Sequence, residues 1–153
     1  MQAVIRVAKL DKTFEAVISS LCGVLGLFAS SQMMIPYYPV PVTMQTLMML
    51  ILGFSCTPSR VLTIYGHWIL LGLCGAPVFA GFLGGFSVFC GPTFGYILGM
   101  TAGAFYIASM KKKDINPWLY GLHGLIAMAI VYAMGLAWLS QFCGWSTAIQ
   151  KGF

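Results

Sequence analysis

The chain has 153 residues, 59% of them hydrophobic and only 7% charged, with a formal net charge of +5. A soluble domain carries roughly a quarter charged residues to cover its surface, so this composition excludes an ordinary water-soluble globule and makes lipid the solvent for most of the exterior. The basic residues form short clusters with no soluble domain to present them, which excludes nucleic-acid binding. At about 20 residues per span, the length accommodates roughly five transmembrane helices in a single membrane domain over residues 1–153. The expected fold is an all-α integral membrane protein.

In chain order, Met1 to Lys12 carries Arg6, Lys9 and Lys12. The apolar stretch that follows, from about Phe14 to Met34, is long and runs into further hydrophobic segments, which predicts a first span rather than a cleaved signal peptide. Within it Ala16/Ser20, Ser19/Gly23 and Cys22/Gly26 set small residues four apart on neighbouring stripes. That spacing lets another helix approach closely, from this chain or from a separate subunit.

Next comes Pro39-Val-Pro-Val-Thr-Met-Gln-Thr46. Pro39 and Pro41 fix two φ angles and remove two donors, so the backbone is expected to be extended and stiff, with Thr43, Gln45 and Thr46 at the mouth of the next span. A lid and an ordinary proline-rich connector both fit. The second span runs from about Thr43 to Cys56, a turn at Thr57-Pro58 with Arg60 follows, and the third span covers about Val61 to Cys74.

The segment Gly75 to Tyr96 interleaves Gly81, Gly84, Gly85, Gly91 and Gly95 with Phe79, Phe82, Phe86, Phe89, Phe94 and Tyr96. Irregular backbone survives at membrane depth only when buried in protein or lining a cavity. Apolar walls with exposed amides between them suit a ligand with an apolar body and a few hydrogen-bonding atoms; close helix packing through small residues is the competing reading. This stretch is expected to be a re-entrant or glycine-rich outer loop. The fourth span covers about Gly91 to Met110, Lys111-Lys112-Lys113-Asp114 ends it, and the fifth covers about Pro117 to Leu139. Cys143 to Phe153 is too short to cross again.

Threading these spans puts Arg6, Lys9, Lys12, Arg60 and Lys111 to Lys113 on one side, seven of the eight basic residues. The positive-inside rule makes that side, and the N-terminus, cytoplasmic; the proline-rich and glycine-rich segments then face outward. The charge reports topology and contact with anionic lipid heads of the bilayer.

The chemistry available is narrow. Asp11, Glu15 and Asp114, the only acids, fall at span ends, whereas ion coupling or catalysis inside a membrane usually needs an ionisable group within a span. His67 and His123 have no second ligand at metal spacing, so helix-packing hydrogen bonds are expected of them and no metal site. There is no phosphate loop and no Gly-x-Ser-x-Gly elbow. Cys22, Cys56, Cys74, Cys90 and Cys143 lack paired spacing and read as structural thiols. A binding protein without enzymatic activity or cofactor remains.

Taken in order, the motifs resemble the BioY family, the biotin-binding substrate subunits of energy-coupling-factor (ECF) vitamin transporters. The resemblance rests on Ile35-Pro36, Pro39-Val-Pro-Val-Thr43 with Gln45-Thr46, Gly72 with Gly75 and Pro77-Val-Phe-Ala80, and Gly84-Gly85. It continues through Gly91-Pro-Thr93 with Gly95-Tyr96, and Tyr132 with Gly135, Trp138 and Leu139. It implies a six-helix subunit that captures biotin from outside and works with a membrane coupling protein and two ATPase subunits, or in some members without them. The residues expected to bind the ligand are Thr43, Gln45, Phe79, Gly84, Gly85, Thr93, Tyr96, Tyr132 and Trp138. Ala16, Ser19, Ser20, Gly23 and Gly26 resemble the docking surface for the coupling protein.

Three departures qualify the expectation. The family continues with a sixth helix opening on a Pro-Phe and Gly-Asp-x-x-Lys pattern, and this chain reaches Lys151-Gly-Phe153 about where that helix should begin. Leu83 stands before Gly84-Gly85 where some members carry a ligand-binding Asn, and Phe94 replaces a common Gly. Weaker biotin binding, or a truncated inactive chain, is expected from these. The competing functional class is a small non-transporting membrane assembly protein whose glycine-rich segments merely pack.

Overall fold

A computed structural model of the chain describes residues 2–110 and 116–152, with side chains left out for residues 2–14, 16, 117 and 151. Lys111, Lys112, Lys113 and Asp114 lie outside the described residues. Among the described residues five α-helices form: α1 (Gln2–Gln32), α2 (Gln45–Ser55), α3 (Pro58–Leu73), α4 (Phe94–Met110) and α5 (Pro117–Lys151). Their starts follow local chemistry. Pro58 and Pro117 occupy the first turn, where the missing N–H costs nothing. The side chain of Asn116 caps α5 by accepting from Trp118 N at 3.3 Å.

Three elements depart from the sequence expectation, the first being α1, which begins at Gln2 and not near Phe14 because the helical ladder does not need apolar side chains. The proline-rich segment is a hairpin, not only an extended connector: β1 (Met34–Ile35) pairs antiparallel with β2 (Val42–Thr43), in the register Met34↔Thr43 and Ile35↔Val42. Its tip contains a cis Tyr38–Pro39 peptide. Helix α5 also runs past Leu139, to Lys151, with a break at Gly144 (φ 76°, ψ 159°). The polar pair Ser140-Gln141 thins the apolar run there, but the i→i−4 ladder does not need apolar side chains; it is interrupted at the kink where Gly144 takes a positive φ and resumes beyond it.

The helices pack through small residues. A Cβ at Gly99 would stand 2.8 Å from Val131 Cα, one at Gly103 3.1 Å from Ala127 O, and one at Gly95 would collide with Trp138. The register 95/138, 99/131, 103/127 makes α4 and α5 antiparallel partners at close range. Gly53 of α2 meets Ile107 of α4 in the same way, 2.9 Å from its Cβ. Leu27, Met49, Val61, Ile64, Tyr65, Trp68, Ala104 and Ala127 form the core, each wholly buried. The outer faces are apolar too: Leu21, Leu25, Leu70 and Leu125 are 57–70% exposed.

By length and composition, the helix over Trp118–Gln150 is long and apolar enough to cross a membrane; Val17–Gln32, Gln45–Ser55 and Phe94–Met110 are apolar but shorter. With neighbouring helices alternating in direction, the hairpin and the loop between α3 and α4 share one end of the bundle. The turn carrying Arg60 and the start of α1 share the other.

Candidate functional site

A cavity of about 140 Å³ opens at the hairpin end. The hairpin supplies Tyr37, Val40, Pro41, Val42 and Thr43, and the first turn of α2 supplies Gln45 and Thr46. The α3–α4 loop adds Phe79, Ala80, Leu83 and Val88; α4 adds Tyr96, Ile97 and Met100 just after Thr93; Val131, Tyr132 and Gly152 complete it from α5 and its end. None of these described lining residues is charged. The walls are aliphatic and aromatic, with hydroxyl and amide groups set among them.

Local structure places each polar group. The β2 strand ends at Thr43, whose Oγ1 donates to Gln45 Oε1 at 3.1 Å and accepts from Gln45 N at 3.4 Å. Gln45 is thereby fixed at the start of α2, only 5% exposed, with Oε1 taken up by Thr43. Tyr96 lies over Gly135, where any Cβ would strike its ring, and its hydroxyl donates to Gly152 O at 2.9 Å. That bond ties the last helical turn to α4 and keeps the residue beyond it against the cavity.

The loop wall is built from two single 3₁₀ turns, Ala80–Phe82 and Phe86–Val88. Phe79 pairs with Leu83 through an isolated bridge, its N–H donating to Leu83 O at 3.0 Å. Beneath it runs a continuous aromatic series, edge-to-face at Trp68–Phe79 (4.8 Å), Phe79–Phe89 (5.7 Å) and Phe94–Trp138 (5.5 Å) and tilted at Phe89–Phe94 (5.1 Å). Such pairs contribute about 0.5–1.5 kcal/mol each beyond area burial. Phe94 is therefore a link in this series, and Leu83 stands at the cavity wall.

Of the nine residues expected to bind ligand, Thr43, Gln45, Phe79, Thr93, Tyr96 and Tyr132 come together at this cavity. Gly84, Gly85 and Trp138 lie outside its lining. Gly84 sits where a Cβ would run into Ala76 O. Gly85 takes φ 88° so that its N–H can donate to Gly72 O at 2.7 Å. Trp138 Nε1 donates to Gly91 O at 3.0 Å, holding the loop's end against α5. These three support the wall instead of forming it.

The small residues of α1 are also placed differently from a free docking stripe. A Cβ at Gly23 would stand 2.6 Å from Ile64 of α3, and one at Gly26 would strike Met48 of α2, so both glycines serve packing within the chain. Ser19 and Ser20 are half-buried, and the side chain of Ala16 lies outside the described residues. The exposed face of this helix is instead Val17, Ile18, Leu21 and Leu25.

Ser31, Gln32 and Trp68 were missed by sequence reasoning although they hold the loop wall through hydrogen bonds to Val78, Phe79 and Phe82. The one signal was a polar Ser-Gln pair at the end of an apolar helix, whose partners 47–50 residues away no local pattern reveals.

Comparison with known proteins places this architecture. The BioY family model matches residues 4–153. The probable biotin transporter BioY of Rickettsia prowazekii is 33% identical over 138 residues, covering 90% of this chain and 71% of that protein. The biotin transporter BioY of Thermotoga maritima is 37% identical over 103 residues, covering 67% of this chain and 60% of that protein. A probable biotin transporter BioY of Pyrococcus horikoshii is 33% identical over 122 residues, 80% of this chain and 72% of that one. The crystal structure of the S-component for biotin from an ECF-type ABC transporter superposes with a TM-score of 0.81 at 22% identity, covering 92% of this chain and 81% of that chain, a likeness of fold. A family match over nearly the whole length, together with these relatives, makes the chain a member of the BioY family.

Proposed function

We propose that this chain is the biotin-binding substrate subunit of an ECF-type vitamin transporter, a multi-pass protein of the cell membrane with no enzymatic activity. Its partners are then a membrane coupling protein and two ATPase subunits. The observation that carries the reading is the cavity itself, in a BioY-family chain: apolar and aromatic walls with a few neutral hydrogen-bonding groups, at the end of the bundle where the hairpin and loop meet. Biotin has a bicycle with apolar faces, an aliphatic tail that ends in a carboxylate, and a ureido group with two donors and one acceptor. Gln45, Thr43 and Thr93 match the ureido atoms, and Phe79, Ile97, Met100, Val131 and Tyr132 match the ring and tail.

The orientation belongs to the same proposal. Arg60 and the start of α1, with Arg6, Lys9 and Lys12, share the end opposite the cavity, so the positive-inside rule puts the N-terminus in the cytoplasm and the cavity outside. Large apolar side chains on the outer helix faces suit contact with lipid. Equilibrium binding of radiolabelled biotin to the purified chain in detergent tests the function. Saturable binding that excess unlabelled biotin displaces is expected; a chain that is folded by thermal melting yet retains no label would refute it.

A further inference from the structure

Among the described residues, neither α1 nor α3 contributes a side chain to the cavity lining, yet the outer ends of both hold its loop wall. Trp68 Nε1 donates to Val78 O at 3.2 Å, and Ser31 Oγ lies 3.0 Å from the same carbonyl. Gln32 bridges the turn itself. Its Nε2 donates to Phe79 O at 3.0 Å and to Ser31 Oγ at 2.8 Å, while its Oε1 accepts from Phe82 N at 3.1 Å. A primary amide, with an acceptor and two donors in one plane, can serve a carbonyl and an N–H of the same turn at once.

The turn needs such a brace. Phe82 is the one non-glycine residue with positive φ among the described residues, at 57°, a conformation that a bulky side chain adopts only when its surroundings impose it. Burial does not impose it, because Phe82 is 64% exposed. The amide of this strained residue is the one Gln32 holds. On its other side, Phe79 and Ala80 face the cavity.

We propose that Gln32 is a positioning residue for ligand binding: without lining the cavity, it locks the Phe79–Phe82 turn in the strained shape that makes the turn a cavity wall. The inference rests on the biotin-binding reading above. Releasing the amide lets Phe82 relax to negative φ and withdraws Phe79 and Ala80 from the ligand. The loss then falls on retention of bound ligand more than on its arrival.

The test uses the full chain and two readouts. With labelled biotin, Gln32→Ala is expected to speed dissociation about tenfold, as the loss of neutral hydrogen bonds at a wall predicts. Gln32→Glu keeps an acceptor for Phe82 N and should fall between Gln32→Ala and the parent. Leu27→Ala, a buried core change on the same helix, should lower the melting temperature while leaving dissociation from the folded fraction within twofold. Without ligand, hydrogen exchange at the Phe82 amide should accelerate at least tenfold in Gln32→Ala. If the parent chain fails to bind biotin, the functional reading falls, and the exchange experiment still decides the brace. An unchanged exchange rate, an unchanged dissociation rate, or an equal acceleration in Leu27→Ala would overturn the proposal.

Discussion

Substituting alanine for Gly99 tests the contact that brings the two sides of the cavity together. Its new methyl would stand 2.8 Å from Val131 Cα and 2.9 Å from the Val131 carbonyl oxygen, whereas at Gly66 no described atom beyond its chain neighbours and its helix's own nearby backbone lies within 4 Å. Both glycines are helical, so Gly→Ala contributes about 1 kcal/mol of helix propensity in each. At Gly66 that gain stands alone. At Gly99 it is offset by overpacking against backbone that cannot rotate away, about 1–3 kcal/mol. The difference between the variants cancels propensity and isolates the contact, at about 1–3 kcal/mol. For a chain of this size, that corresponds to a gap in melting temperature on the order of 5 °C, measurable by thermal unfolding in detergent. Because Val131 and Tyr132 line the cavity, Gly99→Ala should also weaken biotin binding, and Gly66→Ala should not. A Gly99→Ala protein as stable as Gly66→Ala would mean that α4 and α5 do not approach as described.

Three further outcomes are expected. Gln45→Ala combined with Thr93→Val should weaken biotin binding by about 1 kcal/mol or somewhat more, read by equilibrium binding; unchanged affinity removes both from the site. The hydroxyl of Tyr65 is buried with no hydrogen-bond partner among the described residues, so Tyr65→Phe should leave stability equal or raise it by about 1 kcal/mol, and a lower melting temperature would reveal a hidden partner. In a background freed of its five cysteines, an impermeant thiol reagent applied to intact cells should label Tyr38→Cys and spare Arg60→Cys. The reverse pattern would invert the topology.

The helices were readable because apolar runs and charge clusters act locally: α2, α3 and α4 begin and end within three residues of the bounds expected for spans two to four. The hairpin was not, because Pro39 and Pro41 announce an extended chain but only the meeting of Met34 with Thr43 makes it a ladder. Six of the nine candidate ligand residues meet at one cavity because Thr43, Gln45, Thr93 and Tyr96 sit at helix mouths, which a span prediction already locates, while Phe79 and Tyr132 stand opposite them. The other three were motif residues with structural work. Gly84 and Gly85 let backbone approach backbone, and Trp138 spends its indole N–H on Gly91 O. Small-residue spacing on α1 announced close packing and left its partner open; Ile64 and Met48 of the same chain fill that place for Gly23 and Gly26.

The floor of the cavity bears on how cargo would reach the other side. Just beneath Gln45 and Met100, the Met49 sulfur and Ala127 O stand 3.0 and 3.1 Å from where a Gly103 Cβ would be, with Met49 and Ala127 wholly buried. Below that, Ala104, Ile107 and Ala108 continue the seal, none more than 5% exposed. Helices in lipid gain no hydrophobic drive for association and hold together by close packing and interhelical hydrogen bonds, here including Tyr106 Oη and His123 Nδ1 at 3.0 Å. Opening a channel along the α4–α5 seam would forfeit that packing over several turns at once. Under the proposed function, moving the loaded subunit as a body leaves the seam intact. On that proposal, a pocket backed by this packing and held from the side by α1 and α3 through Gln32, Ser31 and Trp68 would carry its ligand, and release would come from movement of the hairpin or the loop wall rather than of the floor.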